Sequence, residues 1–300
     1  VTGEKAKYNK KNQILEIYGN VFFIDKEKNY NASSSKIILD RKKNTISSNG
    51  YTVVIFFNKI DNNKNIEIKS ENSFFDRNKG LLEINKNVYF KDYLNDYEIK
   101  SEKIVYNKLN NIIKSYDDTT INYNDEFLIE TKDISFNTGK NVFYTDQQTL
   151  ITDNFKNKFS VSNLEFNTGE KIFKGNQIQL SDNKNNTLEL NNGFVDLKSN
   201  ELVGSDFIYV FNKNFFGNVE NDPRLIGRYI ITDKSKTHMK KSSFTTCKKI
   251  DGKCPAWSLS ADEVSHIKEK RRIEYKKAWL EIYDVPVAYF PFFFHPDPTV

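Results

Sequence analysis

The chain has little proline, cysteine, methionine and glycine. Its 300 residues include 6 Pro, 2 Cys, 1 Met and 12 Gly, and no Pro occurs before residue 223. Because proline cannot donate a ladder hydrogen bond, its absence there permits uninterrupted sheet pairing. No stretch approaches the ~20 apolar residues of a transmembrane helix, and no signal-peptide pattern stands at the N-terminus. The single methionine is Met239 rather than an initiator, so we expect a fragment or a mature form.

Residues that carry chemistry are equally scarce. The three histidines, His238, His266 and His295, stand in no metal-binding or triad context. Cys247 and Cys254 form no zinc-knuckle spacing, and the chain has neither a glycine-rich phosphate loop nor a GxSxG motif. Most patterned acids, such as Asp40 and Asp76, stand at turn positions. We therefore predict no catalytic site, no metal site and no cofactor.

The composition indicates a thin core rather than disorder. Hydrophobic residues make up 38% of the chain and charged residues 28%, but 24 Phe and 16 Tyr supply more buriable area than a disordered tail carries. Charge is uneven along the chain. Residues 221–277 hold 15 Lys and Arg against 7 Asp and Glu. This basic segment is either a solvated surface or a contact for nucleic acid, a phosphorylated glycolipid or an anionic membrane face.

A repeat of about thirty residues is the main pattern in the sequence. Its core is apolar-x-apolar, then Asp or Asn, a polar turn, and apolar residues again. The six segments are SKIILDRKKNTI (35–46), ENSFFDRNKGLL (71–82), EKIVYNKLNNII (102–113), KDISFNTGKNVF (132–143), SNLEFNTGEKIF (162–173) and GFVDLKSNELVG (193–204). The second apolar position falls on Leu39, Phe75, Tyr106, Phe136, Phe166 and Leu197, with Tyr8 extending the series backwards.

The alternation within each repeat has period two, and the polar turns suit tight strand connections. We predict an all-β fold: an elongated, repeat-built β-jelly-roll or solenoid-like array of short antiparallel strands. The inward apolar row is then either simple core or the wall of a trough that takes acyl chains. The groove candidates are Leu39, Phe75, Ile104, Tyr106, Ile134, Phe136, Leu164, Phe166 and Leu197.

The last segment, residues 245–300, carries the most specific motifs. Its pattern consists of Cys247, Pro255, Trp257, Ala261, Ala278, Leu280, Val285, Pro286, Val287, Tyr289, Pro291, Phe292, His295, Pro296, Asp297 and Pro298. With these residues the segment resembles the junction between the periplasmic domain and the first barrel strands in the lipopolysaccharide-assembly outer-membrane family LptD (OstA). Asp284 departs from that family's usual glycine.

This resemblance implies a periplasmic slide for lipopolysaccharide in a Gram-negative bacterium. Residues 1–220 would form OstA-type β repeats, 221–284 the end of the periplasmic domain with its cysteine loop, and 285–300 the truncated start of the outer-membrane barrel. The implied partners are lipopolysaccharide, an LptA-like bridge protein docking on an N-terminal edge strand, the barrel of the same polypeptide with its lipoprotein plug, and the outer membrane. Nucleic acid is not among them.

The resemblance also bears on the cysteines and the C-terminal prolines. Cys247 stands where the family has a cysteine that pairs with one near the end of the barrel. A bond between Cys247 and Cys254 is the alternative, and free thiols at both positions are a third outcome. Prolines without a ladder donor weaken strand pairing, so we predict a lateral exit seam for lipid. Its residues would be Pro286, Pro291, Pro296 and Pro298, although they would alternatively shape a linker.

Two other functions compete with lipid transfer. A carbohydrate-active β-solenoid would need paired carboxylates across a cleft. An adhesive or nucleic-acid-binding array is favoured only by the basic segment 221–277, and would show a steep salt dependence.

Overall fold

The computed structural model describes residues 1–26, 29–58, 63–182, 185–212, 221–248 and 255–296, and within these ranges all regular structure is β-strand. The predicted all-β class, an array of antiparallel strands, is confirmed. In the described part of the chain, no helix is long and apolar enough to cross a membrane.

The strands fall into two compact units, Val1–Asn154 (unit 1) and Phe155–Val300 (unit 2). Unit 1 contains β1 (Lys5–Asn9), β2 (Ile14–Asp25), β3 (Tyr30–Asp40), β4 (Thr45–Phe57), β5 (Lys64–Asp76), β6 (Leu81–Asp92), β7 (Tyr97–Asn107), β8 (Ile112–Tyr123), β9 (Phe127–Lys132), β10 (Ser135–Asn137), β11 (Val142–Thr145) and β12 (Thr149–Asp153). Unit 2 contains β13 (Lys158–Asn167), β14 (Ile172–Ser181), β15 (Thr187–Asp196), β16 (Glu201–Val210), β17 (Arg224–Thr232), β18 (Lys236–Thr245), β19 (Trp257–Ile267), β20 (Arg272–Ile282) and β21 (Val285–Pro296).

Most strands pair with the next strand along the chain, so each unit is a meander. The pairing from β2 to β8 and from β13 to β21 is antiparallel throughout. In unit 1, β8 pairs with β10 through its first residues and with β9 through its last. The domain limits predicted at residues 220 and 284 stay predictions.

Asp and Asn close the turns between strands, as the repeat predicts. The Asp76 carboxylate accepts the amides of Asn78 and Lys79 at 3.0 and 3.1 Å. The Asn167 side chain likewise accepts the amides of Gly169 and Glu170 at 3.0 and 2.9 Å. These side chains replace water at amides that a tight turn leaves unpaired. The turn role expected for Asp40 and Asp76 is thus confirmed, since Asp40 accepts the amide of Lys43.

Most long strands bend near their middle, where the register of the ladder shifts. Several of the bending strands have a left-handed backbone at this point, which is costly for most non-glycine residues. We call the line of these bends the crease of each unit. Its left-handed residues include Asn20, Gly50, Asn87 and Asp117 in unit 1, and Asn163, Gln177, Asp206, Lys241 and Lys277 in unit 2.

The bends fold the sheet of unit 1 back on itself. Tyr97 pairs with Tyr123 at one end of β8, and Phe136 pairs with Ile113 at the other end. Ten positions of straight strand would separate these points by about 33 Å. The ring centroids of Tyr97 and Phe136 are nevertheless 5.8 Å apart. The two halves of the strands therefore face each other and enclose the core of unit 1.

Unit 2 folds in the same way. Phe244 lies in a cross-strand row that ends at Ala288 of β21, through Leu259 and Leu280. His295 lies seven residues beyond Ala288, which is about 23 Å of straight strand. The rings of Phe244 and His295 are 6.1 Å apart. The strand halves of unit 2 thus pack on each other as well.

Candidate functional site

A continuous apolar row crosses unit 1 next to the turns predicted from the repeat. Each strand from β1 to β8, and then β10 and β11, contributes one inward residue, and each is the direct cross-strand partner of the next. We call this set the end row of unit 1. Its members are Tyr8, Leu15, Leu39, Ile46, Phe75, Leu82, Tyr106, Ile113, Phe136 and Phe143.

Burial increases along this row from β1 towards β11. Tyr8 is 52% exposed, whereas Phe136 is 4% exposed. Leu39, Phe75 and Tyr106, between them, are half-buried. The row is therefore accessible near the N-terminal strand and closed near β10.

The closed end of the row is filled by aromatic rings. Phe136 stacks on Phe143 with centroids 4.0 Å apart, and the edge of Tyr97 contacts both rings at 5.8 and 5.7 Å. Ile104 and Ile134, nearer the crease, are 2% and 3% exposed. Of the groove candidates of unit 1, Ile104, Ile134 and Phe136 are thus buried, and their role in binding lipid stays a prediction.

Unit 2 has an end row that changes from apolar to polar. Phe166 stacks on Phe173 at 3.9 Å, and both Leu164 and Phe166 are 1% exposed. The row is Phe166, Phe173, Val195, Leu202, Thr232, Thr237, His266, Ile273 and His295.

A hydroxyl pair and a lysine mark the polar part of the unit 2 row. The hydroxyls of Thr232 and Thr237 are 2.7 Å apart. The Lys268 ammonium donates to Thr232 Oγ1 at 3.2 Å, and burial lowers the pKa of Lys268. Acyl chains gain little by contacting these groups, so the apolar wall is confined to the first strands of unit 2.

The sequence repeat predicts Leu197 as a member of the unit 2 end row, but Leu197 lies outside that row. It follows β15 in the turn, and Val195 holds the equivalent position. The reason is that Asp196 starts the turn by accepting the amides of Lys198 at 2.7 Å and Ser199 at 3.3 Å. These backbone hydrogen bonds lower the pKa of Asp196. In the other repeats Asp or Asn directly follows the second apolar position, and Asp196 directly follows Val195, so the sequence contained the signal for the correct alignment.

Sequence reasoning missed a row of buried hydroxyls along the crease of unit 1. We call it the hydroxyl row, and its members are Ser34, Thr52, Ser70, Ser101, Thr119, Thr131 and Thr149, all at most 8% exposed. Most of them hydrogen-bond one another or nearby serines. Thr119 Oγ1, for example, lies 2.7 Å from Ser115 Oγ and 3.2 Å from Ser101 Oγ. The available signal was the spacing Ser-x-Gly-x-Thr at 48–52, Ser-x-Asp-x-Thr at 115–119 and Thr-x-Gln-x-Thr at 145–149.

β21 contains the C-terminal aromatic residues and three of the four predicted seam prolines. It pairs with β20 along its length, with Pro296 opposite Arg272. Pro286 faces Glu281 at a register shift, and Pro291 lies beside the left-handed Lys277. Pro298 lies outside the described residues. Two of these prolines thus coincide with ladder irregularities, and their role as a seam stays a prediction.

The cysteine loop is anchored by a buried arginine. Arg224 is 9% exposed and donates from one nitrogen to the carbonyl oxygens of Asp222 at 3.0 Å and Cys247 at 2.6 Å. The Cys247 thiol lies 3.8 Å from the Trp257 carbonyl. Cys254 lies outside the described residues, so the pairing of Cys247 stays a prediction.

The histidines occupy structural positions. His238 Nδ1 lies 3.1 Å from Ser265 Oγ, and burial followed by the charge of Lys236 lowers the pKa of His238. His295 Nε2 lies 3.0 Å from the Tyr275 hydroxyl. Within the described ranges, no three His, Cys, Asp or Glu side chains form a metal-binding group.

Comparisons with known proteins give likenesses among solved structures. No protein-family model matches the chain, and no curated protein matches it. A match among solved structures is LptH of Pseudomonas aeruginosa, described as the LptA homologous periplasmic component of the conserved lipopolysaccharide transport device. The two chains share 14% identity at a TM-score of 0.34, over 38% of this chain and 79% of LptH. A likeness of this size carries no argument about fold or function.

Proposed function

We propose that this chain is a lipid-transfer module for lipopolysaccharide, with acyl chains held between the two strand halves of unit 1. The observation that carries the proposal is the end row of unit 1, in which ten successive cross-strand partners are all apolar or aromatic. A row of this kind offers an acyl chain the same apolar contact at every strand. The end row therefore suits an acyl chain that moves from strand to strand better than one that binds at a single fixed point.

The interior must open for lipid to enter. Phe136 and Phe143 fill the space that an acyl chain would take. The halves are joined at the crease, whereas ring contacts such as those of Tyr97 with Phe136 and Phe143 hold their far ends together. Lipid can replace those contacts at little net cost, because an acyl chain is as apolar as the side chains it displaces. Half-buried Leu39, Phe75 and Tyr106 make the N-terminal strands the natural place of entry.

The edge at β1 suits docking of the preceding carrier. All five residues of β1 are exposed, and an exposed edge strand presents backbone groups that another β protein can pair with. We assign this edge to the LptA-like bridge protein. Lys5 and Lys7 on β1 would limit pairing with unrelated edges, since charged edge residues oppose aggregation.

The resemblance of residues 245–300 supports the more specific assignment to the LptD family. In that assignment residues 285–300 begin the outer-membrane barrel, the lipoprotein plug lies inside it, and the chain works in the periplasm at the outer membrane. β21 is consistent with a place at a membrane surface, because Val287, Tyr289, Phe292 and Phe294 are 46–52% exposed. Aromatic side chains concentrate at membrane interfaces.

The basic segment gives little support to nucleic-acid binding. Several of its cations are already paired within the sheet: Lys276 with Glu263 at 3.0 Å, and Lys277 with Asp262 at 3.7 Å. Arg272 also contacts Glu274, and Arg224 points into the cysteine loop. Fewer cations remain for phosphates than the sequence count indicates, so we keep nucleic acid outside the proposed partners.

A pair of charge substitutions tests the proposal. Tyr106→Glu places a carboxylate on the end row, whereas Val105→Glu places one on the opposite face of the same strand. We expect Tyr106→Glu to weaken binding of purified lipopolysaccharide to the 300-residue chain by at least about tenfold, because a charge in an acyl site must be desolvated.

Binding is measured by native mass spectrometry, with circular dichroism confirming that both variants fold. Val105→Glu should bind within about twofold of the unmodified chain, as surface substitutions usually do. Equal losses in the two variants, or no binding by the unmodified chain, would contradict the proposal.

A further inference from the structure

Unit 2 carries a groove on the face opposite its core. Alternation along β17, β18 and β19 turns Leu225, Phe244 and Leu259 inward, where each is at most 8% exposed. The neighbouring Ile226 and Ser243 face the other way and line a cavity of about 820 Å³. This volume is in the range of ligand-binding sites in proteins.

The charges around the groove balance. Four cations line it, namely Arg224, Arg228, Lys241 and Lys277. Four acids line it as well, namely Asp206, Asp262, Glu281 and Asp284. A site for a polyanion would carry an excess of cations. The balance instead favours an uncharged ligand that both donates and accepts hydrogen bonds.

Neutral polar groups are fixed in place at the centre of the groove. Ser258 and Ser260 both donate to Glu281 Oε2, at 2.9 and 2.8 Å. Glu281 keeps further acceptor capacity, because a carboxylate has about four lone-pair sites. A ligand in the groove would therefore meet an acceptor whose position the two serines fix.

An aromatic side chain forms one wall. Trp279 is 43% exposed and is held in place by Tyr289, whose ring centroid lies 4.8 Å from that of the indole. The electron-rich face of an indole packs well against the C–H face of a pyranose ring, since the ring face is negative and C–H groups are weakly positive.

The groove continues along the sheet towards β14. A second depression of about 360 Å³ shares Asp206 and Ile208 with the first. Its polar lining is rich in amides and contains no cation: Gln177, Gln179, Asn191 and Glu189. Amide side chains both donate and accept hydrogen bonds. The two depressions together span strands from β14 to β20, enough for a chain of several sugar units.

We propose that this groove binds an uncharged stretch of oligosaccharide, with Trp279 as the stacking platform and Glu281 as the central acceptor. This site is separate from the acyl-chain interior and does not depend on it. Two sources supply the same chemistry: a free neutral glycan, and the sugar portion of a lipopolysaccharide.

The test is isothermal titration of the 300-residue chain with three probes. They are maltoheptaose, a delipidated lipopolysaccharide core oligosaccharide and a heparin fragment. We expect at least one of the two saccharides to bind and heparin to bind more weakly. Trp279→Ala should weaken saccharide binding by about tenfold or more, whereas Tyr229→Ala, an exposed aromatic of β17 outside the groove, should leave it unchanged.

A second variant covers the case in which Trp279→Ala perturbs folding. Ser243→Phe fills the groove and leaves its eight charged residues and the Trp279 ring in place, and it should also abolish binding. Maltoheptaose binding would identify a free-glycan site, and binding of the core oligosaccharide alone would identify the sugar portion of lipopolysaccharide. The proposal is overturned if neither saccharide binds at millimolar concentration, if heparin binds in preference, or if Trp279→Ala and Ser243→Phe both bind normally.

Discussion

The creases of units 1 and 2 solve the same steric problem in different ways. In β8 of unit 1, the inward residues on either side of the bend are Ser115 and Thr119, four positions apart. In β16 of unit 2, they are Gly204 and Phe207, three positions apart. Unit 1 fills the bend with small hydroxyl side chains that bond one another. Unit 2 has glycine at the bend of one strand, and a large side chain from a neighbouring strand occupies the space.

The unit 2 solution depends on glycine. A Cβ at Gly204 would lie 2.7 Å from the Leu190 methyl groups, and one at Gly175 would lie 2.2 Å from Val161. No real Cβ tolerates such contacts, so these positions accept no side chain without movement of the neighbour. The hydroxyl row of unit 1 has no such restriction, but each of its members must keep a hydrogen-bond partner. One crease is therefore sensitive to added volume, and the other to lost hydroxyls.

The largest expected effect comes from adding one methyl group in unit 2. In Gly227→Ala the new Cβ would lie 2.5 Å from Phe207 Cε1 and 2.5 Å from Ser242 Oγ. We expect a loss of about 2–3 kcal/mol in the free energy of unfolding, as for other overpacked cores. Urea denaturation measures it. The matched change Gly139→Ala in unit 1 meets nothing closer than 3.5 Å and should stay within about 0.5 kcal/mol. Equal losses at the two glycines would refute the steric account of the unit 2 crease.

A smaller effect is expected from removing one hydroxyl in unit 1. Thr119→Val keeps the shape of a 1% exposed side chain but removes its bonds to Ser115 and Ser101. The free energy of unfolding should fall by about 1–2 kcal/mol, because buried partners lose their hydrogen bonds. Thr119→Ser is the control, because it retains the hydroxyl and loses only a methyl group. In double-mutant cycles with Ser101→Ala, we expect coupling in the free energy of unfolding for Thr119→Val and none for Thr119→Ser. Full stability of Thr119→Val would mean that packing, not hydrogen bonding, maintains this crease.

The smallest expected effect is a difference between the two units in how their stability depends on pH. His238 in unit 2 has its pKa lowered from 6.5, first by burial and then by Lys236, with Lys240 and Lys276 adding to this and Glu263 opposing it. Its stability contribution is therefore complete above pH 6.5 and is lost as pH falls towards its folded pKa.

Glu67 in unit 1 has its pKa lowered from 4.5. Burial opposes this shift, and the Tyr93 hydroxyl with Lys69 and Lys64 outweighs burial. Its contribution is present above pH 4.5 and is lost only as pH falls further. Between pH 7 and 5, hydrogen-exchange protection should thus decline in β18 and β19 while β5 and β6 keep theirs. His238→Gln should remove the decline, and an unchanged profile in that variant would exclude His238 as its cause.

The turns and the end row were predictable because their signals are local. Asp40, Asp76 and Asn167 each precede a polar turn, and the alternation before them identifies the inward side chains. The alignment of the repeat was wrong at Leu197, because it matched the apolar residues and overlooked that Asp196 directly follows Val195.

The crease was not predictable in the same way. Most of its left-handed positions are held by Asn, Asp, Gln and Lys rather than by glycine, and these residues are frequent throughout the chain. Buried Ser and Thr resemble outward polar residues in any alternation count, so alternation alone does not separate the hydroxyl row from solvent-facing positions. The fold-back of the sheet depends on contacts such as Tyr97 with Phe136, which join distant parts of the sequence. Periodicity within a strand contains no information about such contacts.

Site-specific photo-crosslinking to lipopolysaccharide tests most directly whether acyl chains enter between the strand halves. Four probes point into the interior, at Phe75, Tyr106, Phe136 and Phe166. Four control probes point away from it, at the neighbouring Phe74, Val105, Ser135 and Glu165. The account predicts adducts at the four interior positions, strongest at half-buried Phe75 and Tyr106, and none at the four neighbours. Absence of adducts at all interior positions, or equal yields on both faces, would contradict it.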